Sequence, residues 1–247
     1  MTPAAARTAM EGESVYPTKK TARVAGVLYV LMGVTAPFTL IYLPRKLIVP
    51  GNAAATASNV LASEMIFRLS IVAVLISSVL FVFLGMALYR LLGGVNKERA
   101  LLMVGLIAIS VAIGFVNEVN NIAALTLFRG PAFLSAIDKP QRDALGTLFL
   151  HLRGQGLVVD QIFWGLWLFP LGLLVMRSGF IPKILGVLLI INGVAYLVAS
   201  LTALLAPAYS GVVNRIALLP ETGELWIMLW LLIKGVRTEV RTEPLSN

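Results

Sequence analysis

Between Arg68 and Arg90 the chain reads LSIVAVLISSVLFVFLGMALY, without one charged side chain. An apolar run of about 20 residues is long enough, as a helix, to cross about 30 Å of hydrocarbon, and it is hard to bury in a small water-soluble core. Six such spans can be drawn, at residues 23–43, 66–91, 100–127, 156–176, 182–206 and 221–236. The last is the shortest and has the least sharply marked ends. The expected fold class is therefore all-α, a polytopic membrane protein with six transmembrane helices.

Composition points the same way. Of the 247 residues 58% are hydrophobic and only 13% charged, about half the charged share of an ordinary soluble domain. The mean hydropathy is +0.89. A net charge of +8 would suit a nucleic-acid binder, but the basic residues sit at the ends of the apolar runs and form no single stripe. That is the arrangement of positive-inside loops and interfacial anchors, so nucleic acid is not an expected partner. With both termini in the cytoplasm, twelve Lys and Arg fall on the inner side and eight on the outer. The short connections GGVNKER and RSGFIPK carry much of that bias. The expected location is the bacterial inner membrane, with a polar cytoplasmic tail at 1–22, an integral domain at 23–237 and a second tail at 238–247.

Two outer connections have structure of their own. Residues 52–64, NAAATASNVLASE, begin with a helix-capping Asn52 and are rich in alanine. Residues 140–155, PQRDALGTLFLHLRGQ, place Pro140 in a first turn and Leu145, Leu148, Phe149 and Leu152 on one face. Both read as short interfacial helices, the second lying on or above the membrane or running into the fourth span. Gly154 and Gly156 are the expected junction to the fourth span, and Pro37 the expected kink in the first.

The third span contains GFVNEVNNIAAL, which puts Asn117, Glu118, Asn120 and Asn121 where hydrocarbon is expected. At helical spacing Asn117, Glu118 and Asn121 share a face, which should turn inward or toward water, not toward lipid. Counting along the spans brings Arg68, Asp160, Tyr196 and Glu224 to the outer half of the membrane as well. The seven residues Arg68, Asn117, Glu118, Asn121, Asp160, Tyr196 and Glu224 are candidates for an outward-facing polar pocket, with His151 and Arg153 at its mouth. A small amphiphile, a lipid or an ion would suit it, in binding, sensing or transport. The alternative is a structural or accessory subunit in which these groups only hold helices together. Arg68 then neutralises Glu118 or Asp160, or pairs with Glu64 one turn earlier. An intramembrane enzyme using Glu118, Asp160 and His151 ranks last.

The chain has no cysteine and one histidine, so disulfides, thiol catalysis and cysteine metal sites are excluded. There is no phosphate loop, dinucleotide fingerprint, G-x-S-x-G elbow or H-E-x-x-H pair. No catalytic residue, metal or cofactor is assigned. The lipid bilayer is the one partner that composition implies, and the oligomeric state is left open.

Three segments carry a resemblance: KKTARVAGVLYVLMGV, LIVPGNAAATASNVLASEMIFRL, and the long stretch from LHLRGQGLVVDQ through SGFIPKILGVLLIINGVAYLV. They are similar to the bacterial and archaeal membrane proteins classed as domain of unknown function 4386, over nearly the whole chain after residue 18. The resemblance implies a compact six-span domain. It implies no activity, ligand or functional residue, and the NEVNN cluster stands outside its pattern.

Overall fold

The computed structural model describes residues 19–236. Of the expected N-terminal tail, residues 1–18 lie outside the described residues, as does the expected tail at 238–247. Lys19 to Ala22 already belong to the first helix, α1, Lys19–Gly33. The chain continues through a π-helical turn, Pro37–Tyr42, and a short α2, Leu43–Leu47. Pro37 has no N–H to give the preceding turn, and the wider π turn absorbs the break where a kink was expected. Then come α3, Ala53–Ala62, α4, Glu64–Leu92, α5, Lys97–Arg129, and α6, Lys139–Arg177. The last elements are α7, Lys183–Leu205, α8, Ser210–Ala217, and α9, Gly223–Ile233. Among the described residues there is no strand.

Local chemistry sets these boundaries. Asn52 caps α3 by accepting from the Ala55 N–H at 2.9 Å, as its position suggested. Asn96 caps α5 through the Arg99 N–H at 2.9 Å, and Asp138 caps α6 through the Gln141 N–H at 2.8 Å. Gly130, at φ 60°, ends α5 in the left-handed conformation that costs glycine least.

Five stretches are long and apolar enough to span a membrane: Lys19–Leu47, Glu64–Leu92, Lys97–Arg129, Lys139–Arg177 and Lys183–Leu205. The straight sixth helix expected at 221–236 is not found. At 11 residues α9 rises only about 16 Å, too little for a bilayer on its own. The segments Pro207–Ala217 and Pro220–Ile233 meet at an angle of 47° and only together are long and apolar enough for a sixth span, so the pair is a broken span or a re-entrant loop. Pro207 and Pro220 each open a one-turn 3₁₀ helix around that bend.

Of the two readings of residues 140–155, the structure shows the helix that runs into the fourth span. These residues form no separate interfacial helix but the first turns of the 39-residue α6. Gly156 does not break the helix because it serves contact: a Cβ there would overlap the Asn117 side chain of α5. At about 1.5 Å per residue, α5 and α6 rise about 50 and 58 Å, well beyond the hydrocarbon thickness. Their excess length forms a stalk at the end of the bundle away from Lys19 and Lys234, and α3 packs against it.

Six helices close into a ring in the order α1, α4, α5, α6, α7, α9 and back to α1. Two apolar cores fill it, and a third, small one of Ala195, Ala199 and Ala217 lies between α7 and α8. The largest includes Leu84, Leu88, Met103, Trp167, Leu171, Leu189 and Ile227. Trp167 plugs the middle, its ring 5.3 Å from Phe81 and 6.2 Å from Tyr29 between centroids. The second core, with Leu47, Val60, Phe67, Leu125, Phe128 and Leu150, lies under α2 and α3. Tyr29 belongs to the largest core and Tyr196 packs against it, so that core borders the polar residues.

Candidate functional site

Asn117 and Glu118 lie on the face of α5 that α6 covers. The Asn117 side chain donates to the Arg153 carbonyl at 2.9 Å. Arg153 in turn donates Nη2 and Nε to Glu118 Oε1 at 3.3 and 3.4 Å. Asn121 donates to the other carboxylate oxygen at 2.8 Å. Asn120, turned partly aside as its spacing implied, donates to the Asn117 carbonyl at 3.2 Å. Glu118 is 1% exposed and Arg153 7%. This is a buried ion pair with an amide satisfying the remaining oxygen, and it locks the long α5–α6 hairpin in register.

Position along the spans suggests Arg153 at a pocket mouth, which the structure corrects, and gives Arg68 two possible partners, a buried carboxylate or Glu64, of which the structure shows the second. Arg153 is the buried countercharge, and Arg68 pairs with Glu64, 2.8 Å away on its own helix. His151 is exposed and faces Gln155 at 3.3 Å, one turn along α6. Glu118, Asp160 and His151 do not converge.

Asp160 and Glu224 form a second constellation. Asp160, buried on α6, accepts from Ser110 Oγ of α5 at 2.7 Å and from Trp164 Nε1 at 3.0 Å. The Trp164 ring meets Tyr196 of α7 edge-on at 5.8 Å. Tyr196 lies beside Glu224 of α9. Glu224, half-buried, accepts from the Tyr29 hydroxyl of α1 and from Asn192 Nδ2 of α7 at 3.2 Å. Two polar groups, Ser110–Asp160–Trp164 and Tyr29–Glu224–Asn192, are thus joined across the ring interior by the Trp164–Tyr196 ring contact.

These two carboxylates differ from Glu118 in one respect. Among the described residues neither has a Lys, Arg or His within ion-pairing distance. Their partners are neutral donors: Ser110 and Trp164 for one, Tyr29 and Asn192 for the other. A carboxylate has about four lone-pair sites, so both retain accepting capacity. Beside Glu224, Asn192 is fully buried and its Oδ1 accepts no hydrogen bond.

Spacing and depth in the sequence single out Asp160, Tyr196 and Glu224 but not Tyr29, Ser110 or Trp164. Tyr29 and Ser110 are single hydroxyls inside apolar runs. Their only signal is that a lone polar group in a span must find a partner on another helix.

A family model described as Domain of unknown function (DUF4386) matches residues 24–235. A protein of Archaeoglobus fulgidus, named only as an uncharacterized protein, is 32% identical over 176 residues, covering 71% of this chain and 90% of its own length. No solved structure matches.

Proposed function

We propose, from the premise that this chain belongs to the DUF4386 family of membrane proteins, that it binds a proton or a small monovalent cation inside its helix ring, at Glu224 and Asp160. The observation that carries the reading is the Glu224 environment. A carboxylate held by Tyr29 and Asn192, without a basic partner among the described residues, stands beside the unpaired Asn192 Oδ1. Ionisable groups within membrane helices are costly and are characteristic of ion pathways and proton relays. A proton or cation compensates the negative charge, and a cation also uses the spare lone pairs of Glu224 and Asn192. The aromatic bridge of Trp164 and Tyr196 links this place to Asp160. Sensing or transport of that ion would follow.

The structural reading is favoured at Glu118, where Arg153 already supplies the countercharge. At Asp160 and Glu224 it accounts for the hydrogen bonds between helices but not for a carboxylate with no basic partner among the described residues. The distribution of Lys and Arg supports placing the end with Lys19, Lys97, Lys183 and Lys234 on the cytoplasmic side.

Trp164 donates directly to Asp160, so its emission is a built-in reporter. In proteoliposomes, tryptophan emission is expected to change with pH or with added Na⁺ or K⁺, and the change should be lost in Glu224→Gln and Asp160→Asn. The amide oxygen that Glu224→Gln introduces would still accept from Tyr29, so the fold should survive. An emission that ignores pH and both cations, or a response that persists in both variants, overturns the reading. Ion flux into the same vesicles separates transport from binding alone.

A further inference from the structure

Away from the ring interior, a groove of 620 Å³ opens between α4 and α5. Its walls are apolar: Ile71, Val72 and Leu75 from α4, Ile122 and Leu125 from α5. Its head is basic. Arg68 lies in the second turn of α4 and Arg129 is the last residue of α5, so the antiparallel helices bring both guanidinium groups to one end of the groove.

Both arginines share a single countercharge. Glu64 Oε1 lies 2.8 Å from Arg68 Nε and 3.6 Å from Arg129 Nη1. Two positive charges against one negative leave the head of the groove with a net charge of +1. The Arg68 terminal nitrogens donate to no acceptor among the described residues, and Arg129 has only the long contact to Glu64. Both side chains are about half exposed, at 44% and 55%. From Arg68 to Leu75, and from Arg129 back to Ile122, the walls run about 10 Å along each helix.

We propose that this groove holds one anionic phospholipid. Its phosphate sits between Arg68 and Arg129, and the start of one acyl chain lies along Val72, Leu75 and Ile122. A planar guanidinium with free N–H groups matches the oxygens of a phosphate, the anionic group common to phospholipids. The apolar walls directly below it require a tail attached to that anion, which a free anion lacks. The charge surplus selects an anionic lipid over a zwitterionic one.

The test uses the full chain in a neutral detergent, titrated with phosphatidylglycerol, phosphatidylcholine or inorganic phosphate, with thermal midpoint and native mass spectrometry as readouts. Phosphatidylglycerol is expected to raise the midpoint by several degrees and to be retained as one bound lipid, while phosphatidylcholine and phosphate do neither. The double variant R68Q/R129Q should weaken the apparent affinity for phosphatidylglycerol roughly tenfold or more. Glu64→Gln, which frees both arginines, should strengthen it. Val72→Trp, which fills the groove with the charges intact, should abolish it, and these two variants carry the test if the double variant does not fold. The proposal is overturned if both lipids stabilise equally, if phosphate alone gives the full effect, or if phosphatidylglycerol still protects R68Q/R129Q. It is also overturned if the variants change the oligomeric state and not lipid retention, because the groove is then a self-association face.

Discussion

Arg153→Met is expected to destabilise the protein by about 3–5 kcal/mol, the usual cost of leaving one member of a buried ion pair alone. Glu118 is 1% exposed and has no other basic neighbour within ion-pairing distance among the described residues, so neither water nor a second cation can take over. Asn121 would still donate to Oε2, which softens the loss without removing it. Glu118→Gln should also cost several kcal/mol, because it strands the Arg153 guanidinium between α5 and α6. The double variant E118L/R153M should recover most of the loss, since removing a buried pair together is often close to neutral. Equilibrium unfolding in mixed micelles reads all three. An Arg153→Met protein within about 1 kcal/mol of wild type would show that the pair is hydrated, and its register-fixing role would fall.

The second large effect is expected at the α6–α7 seam. Gly165 faces Gly193 and Gly172 faces Gly186, two pairs of equal spacing on antiparallel helices. A Cβ on Gly165 would stand 2.6 Å from the Gly193 carbonyl oxygen, and one on Gly172 2.7 Å from that of Gly186. The obstacle in each case is backbone, which cannot rotate away as a side chain would. The helices must separate, and van der Waals packing is what holds helices together in lipid. Gly165→Ala and Gly172→Ala are each expected to cost about 1–3 kcal/mol. They lie about 10 Å apart along α6, far enough that the double variant should approach the sum. Gly105→Ala is the control. A Cβ there has nothing within 4 Å, so the better helix propensity of alanine should leave stability unchanged or raise it by up to about 1 kcal/mol. Equal effects at positions 105 and 165 would mean that helix propensity, and not close approach, governs these glycines.

The NEVNN cluster shows how far local spacing carries. Spacing alone puts Asn117, Glu118 and Asn121 on one covered face, and the structure covers that face with α6. Spacing does not say which neighbour supplies the positive charge. Arg68, at the start of the second span, and Arg153, just before the fourth, both stand near the outer end. The choice depends on how far α6 continues past Gly154 and on how each helix is rotated about its axis. Gly156 reads as a break in one dimension, whereas in three it lets Asn117 approach the α6 backbone. Glu224 and Tyr29 are 195 residues apart, and no local pattern announces such a contact.

The sequence by itself determined that this chain lives in a membrane, roughly where its helices lie, and how several of them begin. Those are one-dimensional properties: the length of an apolar run, the capping power of Asn52 and the missing N–H of Pro37. Only the tertiary structure decided that Arg153 neutralises Glu118, that Asp160 and Glu224 are left to neutral hydrogen-bond donors, and that Arg68 and Arg129 meet over a groove. Each of those depends on helix rotation and closure of the ring, which side-chain packing between distant segments sets and which no single helix encodes.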